Sequence, residues 1–169
     1  MYQDHELVKK LPFLAFLLGL ASLVPFFVLA SAILFFGTLG PVPRLALALL
    51  SYGAVALAFS GAVHWGMALE TPGLVPAAGI AAWDRPRLFL GVLAALWAWG
   101  ALFCGLAWGV PSGIGLLILG FIVVLLCERR AWRAGAIPQG YMLVRLIVTI
   151  GAVLCLATGL GAGEVPLSV

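Results

Sequence analysis

The sequence predicts an all-α polytopic membrane protein: one transmembrane domain over residues 1–169, built as a bundle of five spanning helices with the N-terminus inside and the C-terminus outside. Three observations predict it. Hydrophobic residues make up 64% of the chain and charged residues 9%, whereas a soluble domain is about half apolar and about a quarter charged. The apolar residues fall into five runs near the length that about 30 Å of hydrocarbon requires. The basic residues segregate onto one side of those runs.

The spans are expected at about 11–36, 45–69, 88–108, 113–130 and 143–160. The first carries Pro25 at mid-span, where the missing N–H should kink it. Ala30-Ser31-Ala32 has the A-x-A form of a signal-peptidase site, but the apolar run before it is longer than an ordinary leader core and continues to Phe36. A retained helix is therefore expected. Gly37, Gly40, Pro41 and Pro43 mark the next connection. Between the second and third spans, Glu70 to Arg87 forms the longest connection, with an apolar patch ending in Trp83. Gly109-Val110-Pro111-Ser112-Gly113 reads as a tight turn that makes an antiparallel hairpin of the third and fourth spans. The fourth span is short, and it reaches further by including Glu128 to Arg130, whose long side chains snorkel.

Orientation follows from the charges. Lys9, Lys10, Arg85, Arg87, Arg129, Arg130, Arg133 and Arg145 share one side, and Arg44 alone lies on the other. The positive side is the inner one. Trp65, Trp83, Trp132 and Tyr141 fall toward the same side, as an aromatic belt does.

Composition and motifs exclude several functions. A net charge of +3 is too small to suggest nucleic acid. No H-E-x-x-H, Walker A or strand-borne G-x-G-x-x-G occurs, and the acids lie outside the hydrocarbon or at its edge. Cys104, Cys127 and Cys155 are odd in number, unpaired in sequence and set in apolar runs. One spanning histidine and no cysteine pair argue against haem, an iron–sulfur cluster or structural zinc. No catalytic residue, metal ligand or cofactor is expected.

The informative segment is the second span. Gly53, Leu57, Ser60, Gly61, His64 and Ala68 share roughly 100° of one helix face. Small and polar residues belong inside a membrane bundle. The fifth span carries a similar stripe of Arg145, Thr149, Ala152, Leu156 and Gly159. An ionisable group within a membrane invites a functional reading. His64 lies five residues before Leu69, about 7.5 Å from the inner end of its span, in the same leaflet as Arg145. The candidate binding or packing site is therefore Ser60, Gly61, His64, Trp65, Gly66 and Arg145. In it Trp65 and Gly66 shape a shallow pocket, and Glu70 and Glu128 balance the arginine. The plainer alternative is a neutral His64 bonded to Ser60 or a carbonyl, fixing helix packing, with Arg145 snorkelling. Trp97 and Trp99 read as packing or lipid-facing residues.

The segment Tyr52-Gly53-Ala54-Val55 through Ser60-Gly61-Ala62-Val63-His64-Trp65-Gly66 resembles the hallmark of an uncharacterised membrane family, domain of unknown function 3429, which includes mitochondrial transmembrane protein 69. Leu18-Gly19-Leu20-Ala21-Ser22-Leu23-Val24-Pro25-Phe26 is similar to its first helix, and Pro138-Gln139-Gly140-Tyr141 followed by Arg145 to the start of its last. The chain departs from the pattern at Ala94-Ala95, where a Pro-Ser pair is expected, and at Gly140, where a Trp is expected. The resemblance implies a small helical bundle of the bacterial inner membrane, or its mitochondrial equivalent, and carries no activity, substrate or cofactor with it. Two function classes stay open: a non-catalytic accessory, assembly or interaction factor, with other membrane proteins or further copies of itself as partners beside the lipid bilayer, and a binder or carrier of a small hydrophobic or amphipathic ligand.

Overall fold

A computed structural model describes residues 13–36, 43–69, 81–134 and 139–161. Expectations resting on Lys9, Lys10, Glu70 or the side chains of Trp83 and Ala68 lie outside the described residues. Among the described residues, six helices make up the five spans: α1 (Phe13–Ala21), α2 (Val24–Phe36), α3 (Pro43–Leu69), α4 (Ala81–Trp108), α5 (Val110–Arg133) and α6 (Gln139–Leu160). Each span is long and apolar enough to cross a membrane, with α1 and α2 sharing the first. The protein is a multi-pass membrane protein of all-α class.

The first span is broken rather than merely bent. Pro25 has no N–H to offer the carbonyl of Ala21, and the helix is interrupted at Ser22 and Leu23, just before α2 begins. The interruption is repaired locally. Leu23 N–H turns back to the Leu20 carbonyl at 3.0 Å, and Ser22 Oγ donates to the Gly19 carbonyl at 2.6 Å. From across the bundle, Tyr52 Oη donates to the Ser22 carbonyl at 2.8 Å. In hydrocarbon such backbone groups have no water to fall back on.

Two further boundaries differ from the sequence expectation. Helix α4 begins at Ala81 rather than Leu88, because hydropathy counts only the apolar part of a helix that continues into polar surroundings. Pro86 is the sixth residue of α4 and lies inside the helix, where it lacks the N–H that would bond the Ala82 carbonyl. The expected five-residue turn shrinks to Gly109, and α5 starts at once, so the fourth span has 24 residues and is not short. Gly109 adopts φ 102°, a conformation that favours glycine. Pro111 sits in the first turn of α5, where its missing N–H costs nothing. Ser112 Oγ reaches the carbonyls of Gly109 at 2.7 Å and Cys104 at 3.1 Å, satisfying acceptors at the end of α4.

Helix α3 packs on α2, α4, α5 and α6, α4 on α5, and α6 on α1, α2 and α5. The core consists of Phe26, Leu49, Leu50, Leu57, Ile114, Leu117, Phe121 and Leu156, all almost fully buried. Phe26 meets Tyr52 and Phe121 edge-on, with ring centroids 4.9 Å and 6.3 Å away. Close approach depends on small residues. A Cβ on Gly61 would lie 2.7 Å from the Gly91 carbonyl oxygen, and one on Gly113 would lie 2.8 Å from Gly105 Cα. Apolar side chains such as Phe27, Leu96, Leu126 and Leu154 are exposed around the outside, where lipid meets them.

Candidate functional site

The stripe of the second span faces inward. Gly53, Leu57, Ser60, Gly61 and His64 on α3 are buried, and so are Arg145, Thr149, Ala152, Leu156 and Gly159 on α6. What joins the two stripes comes from a third helix. Glu128 on α5 is fully buried, with 0% of its surface exposed, and it is the centre of a polar hub. Arg145 Nε donates to both carboxylate oxygens, at 2.9 Å to Oε1 and 2.8 Å to Oε2. His64 Nε2 lies 3.0 Å from Oε1, and Tyr141 Oη donates to the same oxygen at 3.3 Å. Three helices are thus tied at one end of the bundle.

The hub has a definite hydrogen-bond polarity. A carboxylate paired with an arginine is an acceptor only. His64 Nε2 must therefore carry the hydrogen and donate it to Glu128 Oε1. Nδ1 is buried and has no hydrogen-bond partner, as are Arg145 Nη2 and Thr149 Oγ1. Buried polar atoms of native proteins are nearly always satisfied, so such atoms mark a place where water or a ligand belongs.

Beside the hub lies a cleft of about 490 Å³ between α4 and α5. Pro86, Arg87, Phe89, Leu90 and Leu93 line it from α4, and Cys127, Glu128, Arg130 and Ala131 from α5; His64 lines it from α3. The walls are mainly apolar, with two arginines and the His64–Glu128 pair as the polar elements. Among the described residues, no three His, Cys, Asp or Glu side chains come together as a metal site would need.

The candidate residues do not all meet. Ser60 Oγ donates to its own helix, at the Leu57 carbonyl 2.8 Å away, and His64 takes Glu128 instead. Gly61 sits at the α3–α4 contact, against Gly91 and Ala94. The Trp65 indole donates to the Leu88 carbonyl at 3.0 Å and packs on Gly91. Gly66 is exposed, with nothing near the position of a Cβ. The cleft is therefore shaped by α4 and α5, and neither Trp65 nor Gly66 lines it. Arg145 does not simply snorkel: its Nε is held in the hub. Trp97 locks α4 to α5 by donating to the Leu116 carbonyl at 2.8 Å, and Trp99 stacks on Phe103 on the outer surface.

The sequence names Glu128 as a counter-charge to Arg145, but hydropathy hides its burial, because it adjoins Arg129 and Arg130 at the polar edge of its span. Periodicity would have shown that burial. Leu117, Phe121, Val124, Glu128 and Ala131 recur at intervals of three and four, and all are buried. Arg129, Arg130 and Arg133 fall off that face and are exposed. Tyr141 likewise stands one turn before Arg145 on α6.

Residues 11–161 match the family described as "Protein of unknown function (DUF3429)", and the chain belongs to that family. Comparison with curated proteins and with solved structures gives no match.

Proposed function

We propose that this member of a family of unknown function is a non-catalytic membrane protein that holds one amphipathic molecule in the α4–α5 cleft. The head group sits toward Arg87, Arg130 and the His64–Glu128 pair, and the tail runs along Phe89, Leu90 and Leu93. The observation that carries this reading is the cleft itself. At about 490 Å³ it falls within the range of ligand pockets, roughly 300–1,000 Å³, and like them it pairs apolar walls with a few convergent polar groups. Intramembrane ionisable residues at such a place suit a binding site. The accessory-factor reading has no comparable feature behind it, since exposed side chains such as Phe27 and Leu154 are satisfied by lipid alone. Mild detergent extraction followed by native mass spectrometry tests the proposal. One bound amphipathic molecule per chain is expected, and a Leu90→Trp variant that fills the cleft should lose it. A chain that emerges bare under conditions that retain lipid on other membrane proteins would sink the reading.

We also infer that the hub end faces the cytoplasm of a bacterial inner membrane, so that the cleft opens to the inner leaflet. The segregation of eight of nine Lys and Arg supports this. Reporter fusions at Pro43 and Val110 should read outside, and fusions at Gly79 and Ala136 inside; the reverse pattern would overturn it.

A further inference from the structure

We propose that the outer face of α5 is a binding strip for one anionic phospholipid, whose phosphodiester is held by Arg129 and Arg133 and whose acyl chain lies along Leu126, Ile122 and Leu119. The strip is separate from the cleft, which neither Arg129 nor Arg133 lines. Charge is the first observation. Arg129, Arg130 and Arg133 are exposed at the polar end of α5. None of their side chains has an ion pair or hydrogen bond with another described residue. The acid beside them is already taken. Glu128 turns inward, where Arg145 Nε spans both of its oxygens and His64 reaches one. These cations therefore stand at the hydrocarbon edge with no counter-ion among the described residues.

The second observation is helical phase. At about 100° per residue, Arg129, Ile122, Arg133, Leu126 and Leu119 fall in that order within about 80° of one another, and Glu128 lies about 100° outside that sector. Leu119, Ile122 and Leu126 are exposed along it, where lipid meets them. From Leu119 to Arg133 the rise is about 21 Å, close to half of a bilayer that measures about 40–45 Å with its head groups. The face therefore has the length of one lipid, apolar along the chain and cationic at the phosphate. Arg129 and Arg133 are one helical turn apart on the surface, so both guanidinium groups can fork onto the same phosphodiester. A zwitterionic head brings a cation of its own toward them, whereas an anionic head brings none. Trp132, in the same turn and partly exposed, stands beside the strip as an interfacial indole does. A free anion would use the arginines but not the aliphatic stripe below them.

Native mass spectrometry of the full chain in mild detergent tests this. Phosphatidylglycerol and phosphatidylcholine with identical acyl chains are titrated separately into the wild type and into Leu90→Trp, whose filled cleft leaves the strip free. Phosphatidylglycerol should bind about tenfold more tightly in both, as one charge-assisted contact gives. Arg129→Gln together with Arg133→Gln, at exposed positions, should bring the two affinities level. Arg44→Gln removes an exposed cation at the opposite end of the bundle and should leave the preference unchanged. Excess glycerol phosphate, which has no acyl chains, should not displace the lipid. Equal binding of the two lipids would overturn the proposal. So would a preference that survives the double variant, or one that Arg44→Gln reduces as much. Displacement by glycerol phosphate would assign the arginines to a free phosphate and also overturn it. A preference lost in Leu90→Trp alone would place the anionic lipid in the cleft, ending the strip while keeping the cleft as a ligand site.

Discussion

The two ends of this bundle are held together in opposite ways. At the Gly109 end, α4 and α5 touch almost backbone to backbone, and the contacts are largely apolar: a Cβ on Gly113 would lie 2.6 Å from the Ala101 carbonyl oxygen, and, between α6 and α5, one on Gly159 would lie 2.6 Å from Ile114 Cδ1. At the hub end, the same helices diverge around a cleft, and α3, α5 and α6 are joined by one carboxylate. Inside lipid, apolar surface gains nothing by leaving apolar solvent, so the Gly109 end depends on close packing. The hub end depends on directional bonds among groups that cannot be left alone. Close packing makes a stable hairpin; polar bonding leaves an opening beside it. The separation of scaffold from site makes distinct predictions for each.

The largest effect is expected at the hub. Glu128→Ala strands the Arg145 guanidinium and the His64 N–H in a buried position, and should cost about 3–5 kcal/mol. A detergent or chemical denaturation midpoint measures it. The double variant Glu128→Met with Arg145→Met should regain most of that loss, because an apolar replacement of a whole buried pair is often neutral or better. It should nevertheless lose the cleft ligand. If the double variant is as unstable as the single one, the hub is packing rather than charge balance, and the contrast between the ends fails.

Next comes the Gly109 end. Gly113→Leu must displace backbone at Ala101 and Gly105, not a flexible side-chain tip. Overpacking of this kind costs roughly 1–3 kcal/mol. The midpoint should fall while ligand occupancy by native mass spectrometry stays unchanged. Loss of the ligand in this variant would show that the two ends are coupled, and that the hairpin sets the width of the cleft.

How much of this is legible in the sequence differs between the ends for a physical reason. The helices, their number and the inward faces of α3 and α6 follow from apolar length and from periodicity, which are local properties. The glycines, too, advertise close approach, although the sequence does not say which pairs meet. The hub is non-local: His64, Glu128 and Arg145 are brought together by three helices. An acid beside three arginines reads as solvated until its helical phase is taken into account. The cleft is harder still, because it is the space left where α4 and α5 part, and no residue pattern encodes a gap. That is why Trp65 and Gly66, adjacent to His64 in sequence, suggested a pocket that α4 and α5 supply instead.

The smallest effect tests the seam of the first span, which lies between the two regimes. Breaking the helix at Pro25 releases backbone carbonyls into a bundle without water, and Tyr52 on α3 supplies one donor from its hydroxyl, 2.8 Å from the Ser22 carbonyl. Phenylalanine keeps the ring and its edge-on contact with Phe26, so Tyr52→Phe removes that hydrogen bond and little else. One such bond contributes about 0.5–1.5 kcal/mol net. The cost should sit near the lower end, because the neighbouring Ser22 and Leu23 turn contacts survive. The ligand should be retained, since Tyr52 does not line the cleft. A second variant separates bond from bend. Pro25→Ala restores an N–H for the Ala21 carbonyl and removes the reason for the break. In that background Tyr52→Phe should have a smaller effect than alone, a positive coupling in the double-mutant cycle. Additive effects would mean that Tyr52 stabilises α2 against α3 irrespective of the break, and that the broken first span is imposed by packing against α6 rather than by Pro25.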